Sequence, residues 1–139
     1  MKASPAPWAT LGVISAGGVA GTLARYGIGA AFPHPPGGFP WATFAINVTG
    51  CLLIGVLMTT ISEAGQVHRL LRPFLGVGVL GGYTTFSGYI VDIGGAAAAG
   101  APGVALAYLA GTVLCAVPAV YAGAVLTRAA LRLIRTRRS

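Results

Sequence analysis

Apolar residues fill this chain in long unbroken runs, and polar residues collect between the runs rather than alternating within them. Four runs approach the roughly 20 residues that a helix needs to cross a hydrocarbon core: 8–26, 41–61, 73–93 and 103–126. Trp8 and Tyr26 bound the first, as suits residues at a membrane interface. Pro33, Pro35, Pro36, Gly37, Gly38 and Pro40 then form a connector that excludes helix. A polar link with Glu63, Gln66, His68, Arg69 and Arg72 follows the second run, and Pro73 can open the third, since a first-turn residue needs no N–H donor. Residues 94–103, rich in Ala and Gly, read as the next connection. Pro118 inside the fourth run would free the carbonyl of Leu114 and kink the helix. The pattern predicts an all-α membrane protein with four transmembrane helices, one membrane domain over 1–139 ending in a basic tail, 127–139.

The third run is the anomaly. Gly76, Gly78, Gly81 and Gly82 weaken a helix there, and Thr84, Thr85 and Ser87 add hydroxyls inside G-G-Y-T-T-F-S-G-Y, residues 81–89. Non-helical backbone at membrane depth survives only where protein or a watery cavity covers it. A third helix broken near the midplane is therefore expected, and with it a functional site.

Composition supports the membrane assignment. Of 139 residues 55% are hydrophobic and 8% charged, against about 25% charged in soluble domains. The only acids are Glu63 and Asp92, and the net charge is +7. With four spans, Lys2, Arg69, Arg72 and five tail arginines (Arg128, Arg132, Arg135, Arg137, Arg138) share one side, leaving Arg25 on the other. The positive-inside rule then places both termini in the cytoplasm. Such a tail beside a span reads as a topology anchor to the bilayer rather than a nucleic-acid arm. Cys51 and Cys115 lie in apolar runs without zinc spacing. The first run reads as a retained span rather than a cleaved signal.

Enzyme chemistry is poorly supplied. His34 and His68 fall in connectors, with no acid mid-span beside either, so no catalytic residue is expected. A proton-coupled multidrug transporter would need a carboxylate at mid-depth, and Glu63 and Asp92 read as lying in a loop and at a span end. Polar groups within the spans are the better lead. Asn47 offers two donors and an acceptor, for a helix–helix bond or for a pore. Tyr108 and Thr112, four apart, share a face. Arg25 either snorkels to the interface or draws anions into a vestibule. Phe86 and Tyr89 follow the break, and their positive ring edges can meet a small anion. Gly17 with Gly21, and Gly50 with Gly55, suit close helix packing. So small a chain encloses little alone, and an oligomer is expected.

Three segments in this order, G-G-V-A-G-T-L-A-R-Y at 17–26, N-V-T-G-C at 47–51 and G-G-Y-T-T-F-S at 81–87, resemble the CrcB/Fluc family of bacterial fluoride channels, along nearly the whole chain. The resemblance implies an antiparallel dimer in the inner membrane, with two fluoride pores and a structural sodium ion where the two helix breaks meet. By motif, the backbone carbonyls of Gly81 and Thr84 would hold that sodium. It also implies Asn47 as the pore amide, Arg25 as the vestibule cation, Phe86 as the first aromatic of the fluoride path, and Ser87, Tyr89, Tyr108 and Thr112 as further parts of it. Where the family motif commonly continues T-T-F-S-T-F, this chain has Gly88 and Tyr89. That departure, with the charge bias of eight against one, keeps a second expectation open: a weakly conducting or non-conducting subunit paired with a relative of opposite orientation.

Overall fold

The computed structural model describes residues 7–63, 65 and 67–136. Lys2, Gln66, Arg137 and Arg138, used in the charge and link readings above, lie outside the described residues. Helix α1 spans Pro7–Ala31 and α2 Trp41–Glu63; a π-helical segment, Arg72–Leu80, runs straight into α3, Gly81–Tyr83; α4 is Phe86–Ala98 and α5 Pro102–Thr136. Among the described residues three units are long and apolar enough to cross a membrane: Trp41–Glu63, Arg72–Ala98 and Pro102–Thr136. At 25 residues α1 is also long enough, about 37 Å at 1.5 Å per residue, but its glycines and Arg25 dilute its hydropathy.

Burial is inverted relative to a water-soluble bundle. The interior holds small residues, such as Gly17, Gly21, Gly50, Gly55 and Gly123. Many large side chains face outward, Trp8 being 80% exposed, Leu23 64%, Val91 70% and Leu114 71%, while Ile46, Tyr89 and Tyr108 are buried. Water would not tolerate so much apolar surface; lipid does. Helices in lipid gain from close backbone approach instead, and two glycine seams supply it. A Cβ on Gly21 would overlap the Val79 carbonyl and lie 2.7 Å from the Tyr83 nitrogen, while one on Gly17 would lie 2.9 Å from the Val79 nitrogen. The second seam joins α2 to α5, where Gly55 meets the backbone of Val120 and Gly123 that of Leu52.

Several boundaries differ from the sequence expectation. The glycines of the third unit stay helical, because Gly78 and Gly82 are pressed against the backbone of Ile14, Gly17 and Gly18 on α1. The break falls after them, at Thr84 (φ −77°, ψ 157°) and Thr85 (φ −147°, ψ 124°), both extended. Gly94 and Gly95 do not end α4, which reaches Ala98. Three residues with Gly100 at φ 76° make the turn into α5. Asp92 therefore lies inside α4 rather than at a span end, so the carboxylate argument against a proton-coupled transporter loses its footing. Helix α5 continues through Pro118 and into the basic region as far as Thr136.

The first seam yields a stability test. Gly21→Ala should lower stability by about 1–3 kcal/mol, the usual penalty of overpacking. Gly12→Ala, whose Cβ would meet nothing within 4 Å, should leave it unchanged. Thermal unfolding of the purified protein in detergent measures both, and equal behaviour of the two variants would refute the seam.

Candidate functional site

Two extended residues at the midpoint of a membrane-length unit strand several main-chain groups, and some of these find side-chain partners. The Thr85 N–H donates to Asn47 Oδ1 at 2.9 Å, and Asn47 Nδ2 donates to the Thr85 carbonyl at 3.0 Å. One side-chain amide thus replaces a missing stretch of backbone pairing. Arg25 Nε donates to the Gly82 carbonyl at 3.0 Å, with the Thr22 hydroxyl at 3.4 Å from the same oxygen. The Thr84 hydroxyl donates back to the Leu80 carbonyl at 2.9 Å. The Thr85 hydroxyl caps α4 by accepting the Gly88 N–H at 3.0 Å, the ordinary role of a threonine at a helix start.

Two carbonyls lose their helical donors by this arrangement. In an unbroken helix Gly81 O would accept from the Thr85 N–H and Thr84 O from the Gly88 N–H, and both donors are spent on side chains. They are the two carbonyls expected to hold a sodium ion. Main-chain oxygens released from a helix suit a hard cation, so the residues present fit that ion. Gly81 is itself helical, with φ −65° and ψ −34°, and a Cβ there would meet nothing closer than 3.9 Å. The break does not need glycine at this position.

An open cavity of about 410 Å³ lies against the break, and Asn47, Gly81, Thr84, Phe86, Tyr89 and Thr112 all line it. Six of the nine residues singled out from sequence therefore converge. Arg25, Ser87 and Tyr108 do not line it. Arg25 is bonded to α3, just before the break, rather than standing free in a vestibule. The exposed Ser87 keeps its hydroxyl 3.4 Å from that of Thr85.

Aromatic rings continue away from the cavity. Phe86, 76% exposed, has its ring centroid 6.0 Å from that of Tyr89. Tyr89 meets Tyr108 edge-on at 5.1 Å, and Tyr108 meets Phe39 edge-on at 5.4 Å. The Tyr89 hydroxyl donates to the Leu109 carbonyl at 2.7 Å, so it ties α4 to α5 rather than adding polarity to the cavity. Tyr108 is fully buried. Its hydroxyl neighbours Thr43 and Asp92 without closing a well-formed hydrogen bond, and Thr112 Oγ1 and Asp92 Oδ2 are likewise buried and unsatisfied.

Sequence reasoning missed the hydroxyl pair Thr49–Tyr83 at 2.9 Å, the cavity-lining Cys51 and the placement of Asp92. The last had a signal: Asp92 is one of two acids in the chain and lies three residues beyond Tyr89 on one helix face.

These features define an integral membrane protein of packed helices around one interrupted span. The family model described as CrcB-like protein, Camphor Resistance (CrcB), matches residues 12–124. Similar curated proteins are the fluoride-specific ion channel FluC 2 of Nocardia farcinica, 54% identical over 88% of this chain and 87% of that protein, and FluC 1 of Streptomyces coelicolor, 49% identical over 86% and 78%. FluC 2 of Thermobifida fusca is 51% identical over 84% and 87%. The chain belongs to the CrcB family.

Asn47→Ala would leave the Thr85 N–H and carbonyl without partners, at about 1–3 kcal/mol per stranded group where water is excluded. A loss of about 2 kcal/mol or more in thermal stability is expected, with Thr49→Ala milder. An Asn47→Ala protein as stable as wild type would show that the break is held by something else.

Proposed function

We propose that this chain forms a passive, fluoride-selective channel of the bacterial plasma membrane that lowers cytoplasmic fluoride. The convergence of Asn47, Thr84, Phe86, Tyr89 and Thr112 on one cavity at the helix break carries the reading, and the relatives named as fluoride-specific channels support it. A small, strongly hydrated anion needs donors to replace its water. Asn47 has a second Nδ2 N–H beyond the one given to Thr85, the Thr112 hydroxyl adds another donor, and aromatic ring edges supply weak positive charge without trapping the ion. Fluoride that enters as neutral hydrogen fluoride and dissociates inside is then driven out by the membrane potential, about 2.3 kcal/mol per charge per 100 mV.

In this reading α1 is a fourth span, both termini are cytoplasmic, and a second subunit in the opposite orientation closes the open cavity. The carbonyls of Gly81 and Thr84 hold a structural sodium ion between the two breaks. Removing sodium should weaken the dimer and its flux together, measured by size-exclusion and efflux in sodium-free buffer. Unchanged dimers there would remove the cation from the account. The charge bias of eight against one favours a second arrangement, in which a relative of opposite orientation supplies the other subunit.

Efflux from liposomes holding this chain alone, read with a fluoride electrode, decides between them. Fluoride-selective efflux is expected, lost in Phe86→Ile and retained in Tyr89→Phe, whose missing hydroxyl removes only the Leu109 tether. Efflux that needs a co-reconstituted relative supports the paired arrangement. None under either condition contradicts the channel.

A further inference from the structure

Helix α5 outlasts a bilayer. Its 35 residues extend about 52 Å, against a hydrocarbon core of about 30 Å. The character of its surface changes where it leaves the apolar run. Arg128, Arg132 and Arg135, spaced four and three apart, share one side, and Leu126, Ala130 and Leu133, spaced likewise, share the opposite side. Leu126 is 63% exposed and Leu133 66%. The rotation about the helix axis is fixed by Arg135, which donates to the Glu63 carbonyl at 3.1 Å and approaches its carboxylate at 3.6 Å. The basic side thus faces the end of α2, near where exposed Arg69 and Arg72 begin the next unit. The apolar side faces away from the protein.

We propose that this end of α5 is an interfacial arm that binds the phosphates of anionic phospholipids. Arg128 and Arg132 meet the phosphodiesters as the helix leaves the hydrocarbon core, Leu126 lies against the acyl chains, and Ala130 and Leu133 pack against the headgroup layer above them. Charge complementarity favours this occupant: five exposed arginines gather at this end, and its one acid, Glu63, is engaged by Arg135. The exposed leucines on the opposite side separate a lipid surface from free phosphate or nucleic acid, neither of which has use for them. An amphipathic helix with a basic face and an apolar face binds interfaces through both terms at once. The proposal stands apart from the fluoride reading.

The test uses the full chain, purified in neutral detergent and titrated with micelles doped with phosphatidylglycerol or phosphatidylcholine, the bound lipid being counted by native mass spectrometry. Two arginines near an anionic surface together account for about 30-fold in binding, so R128Q/R132Q should weaken phosphatidylglycerol binding about 30-fold. Phosphatidylcholine binding should not change, and R128K/R132K should restore the preference. Leu133→Gln, on the other side of the helix, should also weaken phosphatidylglycerol binding. Equal retention of phosphatidylglycerol by wild type and R128Q/R132Q overturns the proposal. So does displacement of the lipid by equimolar inorganic phosphate, which indicates a simple anion site. Retention of an RNA oligonucleotide in preference to phosphatidylglycerol overturns it in favour of nucleic acid.

Discussion

Peptide groups stranded in hydrocarbon must be paired within the protein, and at Thr85 one asparagine side chain pairs the N–H of one such group and the carbonyl of the next. The Asn47 amide takes the Thr85 N–H and gives one of its own hydrogens to the Thr85 carbonyl. Without that exchange an extended dipeptide in the middle of a membrane-length unit would be too costly to persist. With it, the chain can aim Phe86 and Tyr89 from a fresh helix start and release the carbonyls of Gly81 and Thr84. The cavity, the proposed ion ligands and the aromatic ladder all follow from where this break is held.

The break is also held from the other flank. Helix α1 approaches so closely along Gly17, Gly18 and Gly21 that Arg25, one turn further on, reaches the Gly82 carbonyl. Glycine packing and charge-assisted hydrogen bonding thus act in series: the seam sets the distance, and the arginine satisfies the oxygen that the break exposes. The residues of this chain at the end of the motif fit the same frame. A Cβ at Gly88 would lie 3.0 Å from Thr85 Cγ2 and 3.1 Å from its hydroxyl, so glycine leaves the helix cap undisturbed. The extra hydroxyl of Tyr89 is spent on the Leu109 carbonyl.

The long apolar runs and the interruption of the third were legible in the sequence, because span length and helix-breaking composition are local properties. So was the convergence of Asn47 with the residues of the third motif, although only through the resemblance, since 38 residues separate Asn47 from Thr85. The segment that breaks, 81–89, was legible, but not that the extended residues are Thr84 and Thr85. Gly78 and Gly82 look like helix breakers and are instead held helical by contact with α1, a constraint that no local pattern records. The same holds for Arg25, whose partner lies 57 residues away, and for Asp92, whose depth depended on Gly94 and Gly95 continuing α4. The π winding of Arg72–Leu80 has no signature in so glycine-rich a run.

Hydrogen exchange at the Thr85 amide tests the central claim most directly. In the wild-type protein this amide, though outside any helix, should be protected because it is bonded to Asn47. In Asn47→Ala its exchange should accelerate at least about tenfold, the equivalent of about 1.4 kcal/mol, while amides of α1 and α5 remain unchanged. Protection at Thr85 that survives the substitution, or a uniform acceleration along the whole chain, would contradict the pairing of Thr85 by Asn47.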